Sequence, residues 1–259
     1  MKEVTIQYYP FKRINYSRYI TGHFPQDWNE LSPGQLIAIS CMLKDSIPDD
    51  KFLSIMSGIK LKTIRRLDQY QLYKIGELLQ PFEDIKPFHE FIIKTIEIDS
   101  IELHCPKPKL SNMSFGQFMF CDTYFYNYLE KPHIDQLNKF IASVYLPANT
   151  AFTEFSTTKY LDDIAKLDYV LKEAVVINYT LIREWIETSY PLIFVKPTPE
   201  QLELQKSSSG KKPHNNGWII IYENLMGDDI VNHDKYASIP LHNVLRFLTR
   251  RIKESIKRK

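Results

Sequence analysis

Two histidines and two cysteines of the sequence could be combined into a zinc site, but their spacing does not match one. His104 and Cys105 are adjacent, whereas His89 and Cys121 lie far from them and from each other. Structural zinc sites place their ligands in closely spaced pairs, and adjacent residues of a strand point to opposite faces of a sheet. We therefore interpret the histidines as structural residues and Cys121 as a small hydrophobic core residue.

Three pairs of adjacent carboxylates could support acid–base or metal chemistry if their surroundings separated the two pKa values of a pair. The first two pairs fall in the first turns of predicted helices, where the helix dipole already favours negative charge. We therefore expect no catalytic role for them. The pairs are Asp49-Asp50, Asp162-Asp163 and Asp228-Asp229.

One polar segment, residues 209–212 (SGKK), faintly resembles a phosphate-binding loop. Gln205 stands where that motif requires glycine, and Lys212 stands where it requires serine or threonine. A flexible linker explains the segment better. The sequence thus predicts no catalytic residue, no metal and no cofactor, and we expect the protein not to be an enzyme.

The composition describes a soluble chain of 259 residues with a formal net charge of only +2, so no overall affinity for polyanions follows. Its three cysteines form no CxxC pair, which indicates a reduced, intracellular compartment. The first ten residues lack the apolar segment of a signal peptide. No apolar run approaches the roughly 20 residues that cross a bilayer, and we expect no membrane partner.

Helical spacing dominates the sequence, which predicts a mainly α fold with a multi-helix core around a central aromatic helix. Ser114 caps this helix, which runs from Phe115 to Leu129 with Phe118, Cys121, Phe125 and Leu129 on one apolar face. An amphipathic helix follows from Ile134. Further helices are predicted at 33–43, 48–57, 61–79 with a break near Asp68, 160–190 with Ser156 or Thr158 as cap and an optional break near Asn178, 218–225 and 240–259.

The non-helical parts divide the chain into four regions. Residues 1–30 read as an extended N-terminal arm with a short strand ended by Pro10, and residues 31–195 as a helical core. Alternation within 91–105 predicts a small β-hairpin inserted in that core, which must pack on helices or on another chain. Residues 196–216 have the composition of a linker, and residues 217–259 form C-terminal helices with a basic tail.

Aromatic residues are unusually frequent in the arm, and tyrosine concentrates at the centres of protein interfaces. We predict that the arm and the hairpin bind neighbouring subunits, although an arm folded onto its own core explains the pattern equally well. The predicted interface residues are Tyr8, Tyr9, Phe11, Tyr16, Tyr19, Ile101 and Leu103.

The basic C-terminal tail is the strongest charge feature of the sequence, since it carries seven cations and only one carboxylate, that of Glu254. Contact with DNA phosphates is one interpretation. The others are an acidic patch on a partner protein and a solvated helix end whose cations suit the helix dipole. The residues are Arg246, Arg250, Arg251, Lys253, Lys257, Arg258 and Lys259.

Four segments together resemble helical proteins from the structural modules of tailed phages of Bacteroidetes hosts, including the crAss-like phages. The segments are 28–36 (WNELSPGQL), 110–118 (LSNMSFGQF), 177–185 (INYTLIREW) and 218–228 (WIIIYENLMGD). The resemblance implies a virion component such as a ring protein below the portal, in which many copies associate head to tail around a DNA channel. It supplies no catalytic residue.

The sequence therefore favours a phage virion structural protein that forms a homo-oligomeric ring, for example a dodecamer, in the head-to-tail connector or tail. Expected partners are the portal, other ring or tail proteins and the DNA in the channel. Expected locations are the virion and, during assembly, the host cytoplasm. A tail-assembly chaperone is the first alternative, and a DNA-binding regulator that uses the basic C-terminal helix is the second.

Overall fold

A computed structural model of the chain describes residues 1–10, 16–82, 84–99, 101–153, 155–195 and 217–258. The fold is mainly helical, with two small antiparallel sheets. The chain divides into two compact units, of which the first contains Met1–Phe88 and Asp168–Leu181 and the second contains His89–Leu167 and Ile182–Lys259. The predicted region boundaries at residues 30 and 195 each fall inside one of these units.

The first unit opens with a β-hairpin where an extended arm is predicted. Strand β1 (Lys2–Tyr8) pairs antiparallel with β2 (Arg18–Phe24), and Gln7 lies opposite Tyr19. In β1, side chains on one face are partly buried and those on the other face are exposed, as the predicted alternation requires.

The sequence hides the second strand because glycine occupies one of its inward positions. A Cβ atom at Gly22 would lie 2.8 Å from Phe24 Cε2 and 2.9 Å from Ile59 Cδ1. Only glycine lets the hairpin approach the chain around Ile59 this closely. The missing side chain removes the hydrophobic signal from the middle of the strand, so the alternation cannot be read.

Four helices follow in the first unit, with boundaries close to the predicted ones. Ser32 and Asp68 each form a capping box with the residue three positions later, so the predicted break near Asp68 is confirmed. Gly58 ends the second helix in the left-handed region. The helices are α1 (Pro33–Leu43), α2 (Asp49–Ser57), α3 (Leu61–Ile64) and α4 (Gln69–Glu77).

The second unit contains the predicted hairpin, in a shorter form and with an added strand. Strands β3 (Thr95–Ile98) and β4 (Ile101–His104) are antiparallel, and β5 (Leu146–Pro147) pairs with the other edge of β4. The Tyr145 hydroxyl donates a 2.7 Å hydrogen bond to the carbonyl of Ile93. The hairpin is therefore stabilised by its own unit.

The aromatic helix α5 (Phe115–Glu130) packs against α6 (Ile134–Val144). The Ser114 hydroxyl caps it, accepting from the Gln117 amide at 3.2 Å. The apolar face ends a turn earlier than predicted, since Leu129 is 49% exposed. The prediction that α5 organises the whole chain is not confirmed, because α5 belongs to only one of the two units.

The predicted helix over 160–190 consists of two helices, α8 (Leu161–Ala165) and α9 (Tyr169–Ser189), and a short helix α7 (Ser156–Lys159) precedes them. The break before α9 lies at Asp168, whose carboxylate accepts from the Val170 amide at 2.8 Å. The alternative prediction of a break near Asn178 is wrong, because Asn178 lies fully buried inside the continuous helix α9.

The C-terminal part of the second unit contains α10 (Gly217–Met226), α11 (His233–Ala237) and α12 (Leu241–Lys257). The predicted linker at 196–216 lies outside the described residues. Within the described ranges, no helix combines the length and the apolar character needed to span a bilayer.

Candidate functional site

The residues that first suggest metal or nucleophile chemistry are placed in ordinary structural positions. Among the described residues, no three His, Cys, Asp or Glu side chains come together as a metal site. Burial raises the pKa of the Cys121 thiol to about 12 and that of Cys105 to about 11. Both thiols therefore stay protonated at neutral pH, which is the unreactive form.

The acidic pairs lie on helix starts and turns, where local partners account for them. Asp50 accepts from Arg65 Nε at 2.6 Å, and this hydrogen bond lowers the pKa of the Asp50 carboxyl. Asp163 pairs with Lys166 at 2.9 Å. Asp229 accepts from Asn232 Nδ2 at 2.8 Å. None of these carboxylates is buried in the way that separates the pKa values of an acid–base pair.

The densest charge in the second unit belongs to helix α12, whose start is firmly attached. The Phe115 amide donates to the Ile239 carbonyl at 2.8 Å, and the Leu241 amide donates to the Met113 carbonyl at 3.0 Å. His242 Nε2 donates to the Lys109 carbonyl at 2.6 Å, while Nδ1 lies 2.8 Å from the Tyr190 hydroxyl. These bonds hold the first turn of α12 in one orientation.

Helix α12 is amphipathic, with its apolar face turned into its own unit. Leu241, Val244 and Leu245 are buried, and Leu248 and Ile252 on the same face are partly buried. The opposite face carries cations at intervals of three and four residues, which places them in one row about 16 Å long. This row, here called the basic stripe, consists of Arg246, Arg250, Lys253 and Lys257.

The surroundings of the stripe leave its charge largely uncompensated. Glu254 is the only carboxylate on α12, and its oxygen lies 3.9 Å from Arg250 Nε. The guanidinium groups of Arg250 and Arg251 lie 5.7 and 5.3 Å from the centre of the Phe247 ring. A surface depression of about 400 Å³ is lined by Asn243, Arg246, Phe247 and Arg250.

The end of α12 is exposed on every side. All residues from Lys253 to Arg258 are exposed, and even the apolar Ile256 is 60% exposed. Of the predicted contact residues, all six from Arg246 to Arg258 thus lie on an accessible helix. Lys259 lies outside the described residues.

The predicted interface residues are only partly accessible. Tyr8 and Leu103 are buried within their own units and offer almost no side-chain surface to a neighbour, while Ile101 is partly buried. These side chains are covered because they lie on the inward-facing sides of their strands. Phe11 lies outside the described residues. The remaining three, Tyr9, Tyr16 and Tyr19, are 51, 51 and 69% exposed.

Two further exposed tyrosines lie on α4, and sequence reasoning missed them. Tyr70 and Tyr73 are 69 and 64% exposed, with Lys74 Nζ 5.8 and 5.7 Å from their rings. Their spacing of three residues, on the face away from Ile75, was the available signal. We call Tyr9, Tyr16, Tyr19, Tyr70 and Tyr73 the tyrosine surface.

A direct hydrogen bond joins the two elements of the tyrosine surface. Gln71 Nε2 donates to the backbone carbonyl of Gln7 at 2.5 Å, and Gln7 is the strand partner of Tyr19. The middle of α4 therefore lies beside the hairpin. The exposed rings of the first unit are concentrated on these two adjoining elements.

A buried arginine in the second unit has a structural environment. Arg183 Nε lies 2.8 Å from Asp122 Oδ1, and the Trp218 indole donates to Asp122 Oδ2 at 2.6 Å. The Arg183 guanidinium also lies 4.8 Å from the Phe194 ring centre and 5.7 Å from that of Phe118. Both charged groups are almost fully buried. This cluster joins α5, α9 and α10.

Comparisons of this chain with protein-family models, with curated proteins and with solved structures found no match.

Proposed function

We propose that this protein acts by binding other protein chains, including copies of itself, and that it performs no catalysis. The observation that carries the proposal is the tyrosine surface. Each of its five tyrosines is at least half exposed, and they lie on two adjoining elements. Tyrosine supplies large contact area with a polar end, and it is enriched among the residues that dominate binding energy.

The hairpin offers a second means of association. Among the described residues, β1 and β2 pair only with each other, so neither has a strand partner on its outer side, while the Gln7 carbonyl of β1 accepts from Gln71. Free strand edges present backbone donors and acceptors to another chain. Strand addition at such an edge, with the tyrosines contacting the neighbour, would hold subunits in a defined register.

We further propose that the partners are virion proteins and that the chain forms a homo-oligomeric ring in the head-to-tail connector or tail of a phage. The support for this narrower proposal is the resemblance of four segments. Most of their aromatic residues are buried, namely Trp28, Phe115, Phe118, Tyr179 and Trp218, and Trp185 and Tyr222 are partly buried. The resemblance thus concerns the packing of the units, and the identity of the partners follows from it alone.

Native mass spectrometry of the purified protein tests the assembly proposal. We expect oligomers at micromolar concentration, and we expect the triple variant Tyr19→Ser/Tyr70→Ser/Tyr73→Ser to weaken association at least tenfold. The matched control removes three exposed apolar side chains elsewhere, Leu129→Ser/Phe155→Ser/Val231→Ser, and should associate normally. A strictly monomeric native protein, or equal losses in both variants, would overturn the proposal.

Mass spectrometry of virions of a phage that encodes the chain separates the two phage roles. Detection of the chain in purified particles at a fixed copy number supports the role of ring protein. Recovery with tail proteins in lysates, together with absence from particles, would replace it with the tail-assembly chaperone.

A further inference from the structure

We propose that the exposed end of helix α12 binds the phosphate backbone of duplex DNA, independently of base sequence. This inference concerns the second unit alone, and it does not depend on the self-association proposed above. It rests on the spacing of the cations, their exposure and the way in which the helix is anchored.

The first argument is the local concentration of charge. Residues 246–258 carry six cations and one carboxylate, in a chain whose formal net charge is only +2. In the described part of the chain, no carboxylate lies within ion-pair distance of Arg246, Arg251, Lys253 or Lys257. Cations of this kind attract a polyanion and gain free energy by releasing its condensed counterions.

The second argument is the geometry of the helix end. The basic stripe lies on one side, and Arg251 and Arg258 lie about 130° and about 110° around the helix axis from its middle. The major groove of duplex DNA is about 12 Å wide and admits an α-helix between two walls of phosphates. Because all residues of the last turn are exposed, the helix end can enter such a groove with cations facing both walls.

The third argument excludes a lipid surface as the ligand. A membrane-binding helix places its apolar face in the lipid. The first turns of the apolar face of α12 are used within the protein, where Leu241, Val244 and Leu245 are buried, and Ile256 is the one apolar side chain among the exposed residues 253–258, which is too little apolar surface to insert into lipid. Lysine and arginine contacts with phosphates carry no base information, so we expect binding to be independent of sequence.

Fluorescence anisotropy with a 24-base-pair duplex over a salt series tests the proposal. Six phosphate contacts predict that log Kobs falls against log salt with a slope of roughly −5. The variant Arg250→Gln/Lys253→Gln/Lys257→Gln should lower the magnitude of this slope by about 3. The control Lys62→Gln/Lys107→Gln/Lys131→Gln removes three exposed lysines elsewhere, so both variants change the formal net charge from +2 to −1.

The outcomes distinguish position from total charge. A slope that falls only in the α12 variant supports the proposal, provided that circular dichroism shows both variants folded. An equal loss of salt dependence in the two variants would overturn it. So would the absence of binding by the native protein at about 50 mM salt, where phosphate contacts are strong. Equally tight binding of polyglutamate would assign the helix to an acidic protein partner and also overturn it. A monomer that binds DNA would refute self-association and leave this inference standing.

Discussion

Two arginines of the second unit show how the same side chain serves two purposes. Arg183 is buried, with a carboxylate 2.8 Å from its Nε and aromatic rings around its guanidinium. Arg250 is exposed on α12, and its nearest carboxylate oxygen lies 3.9 Å away beside open solvent. Burial of a charge is tolerated only with close partners. Arg183 therefore contributes to the fold, while Arg250 remains accessible to a ligand.

Breaking the buried pair should give the largest effect on stability. Asp122→Asn removes the nearer of two carboxylates beside Arg183, and because Glu187 Oε1 remains 3.3 Å from Arg183 Nη2 we expect a loss of about 3 kcal/mol in the free energy of unfolding, the low end for a broken buried pair. Urea denaturation at neutral pH measures it. The control Asp122→Asn/Arg183→Met removes both charges and keeps an acceptor for the Trp218 indole, so it should recover much of the loss. A small loss in Asp122→Asn would show that the pair does not stabilise the fold.

A smaller loss is expected where α5 contacts α11 without any charge. A Cβ atom at Gly116 would lie 3.0 Å from Ala237 Cβ and 3.1 Å from the Ala237 carbonyl. Gly116→Ala should therefore destabilise by about 1–3 kcal/mol through overpacking. Gly76→Ala is the matched control, because no atom lies within 4 Å of its added Cβ. It should stabilise α4 by up to about 1 kcal/mol. Thermal denaturation of both variants checks the contrast, and equal shifts would contradict it.

Removal of an exposed cation from α12 should barely change the free energy of unfolding. Because Arg250 and Lys253 are exposed and belong to no buried network, Arg250→Ala and Lys253→Ala should each change the free energy of unfolding by less than about 0.5 kcal/mol. The same urea titration measures the change. A loss above about 1 kcal/mol would mean that these cations hold the helix in place, and the contrast with Arg183 would disappear.

Burial should also suppress thiolate formation at two cysteines of the second unit. Since burial raises the pKa of Cys121 to about 12 and that of Cys105 to about 11, a rise to pH 9 leaves about one in a thousand and one in a hundred of these thiols ionised. We expect slow alkylation of both in the native protein and rapid alkylation in urea. Peptide mass spectrometry after iodoacetamide treatment distinguishes the sites. Fast native labelling of Cys121 would show that the interior around it opens readily.

Local signals in the sequence were sufficient for the features that depend on neighbouring residues. The caps at Ser32 and Ser114, the break near Asp68 and the positions of most helices follow from residue type and spacing within one or two turns. The cations of α12 were also predicted, because a helical period and a count of charges suffice to find them. Gly22 marks the opposite case, since the strand that it interrupts shows no period.

The Arg183 cluster could not be predicted because its partners lie far apart along the chain. Asp122 and Trp218 come from other helices, and only tertiary packing brings them to Arg183. The available signal was the one cation in the second half of α9, which follows a largely apolar stretch where an unpaired charge would be costly. The tyrosines of α4 were missed for a different reason, since exposure depends on which neighbouring element covers a helix face.

The attachment of α12 at its first turn has a mechanical consequence. A stiff rod held at one end transmits a sideways force on its tip to the points of attachment. The hydrogen bonds from the Phe115 and Leu241 amides are those points. A molecule bound to the exposed end of α12 would therefore alter deuterium exchange at these two amides, although they lie several helical turns away. Exchange at the two amides would then report whether the helix end is occupied.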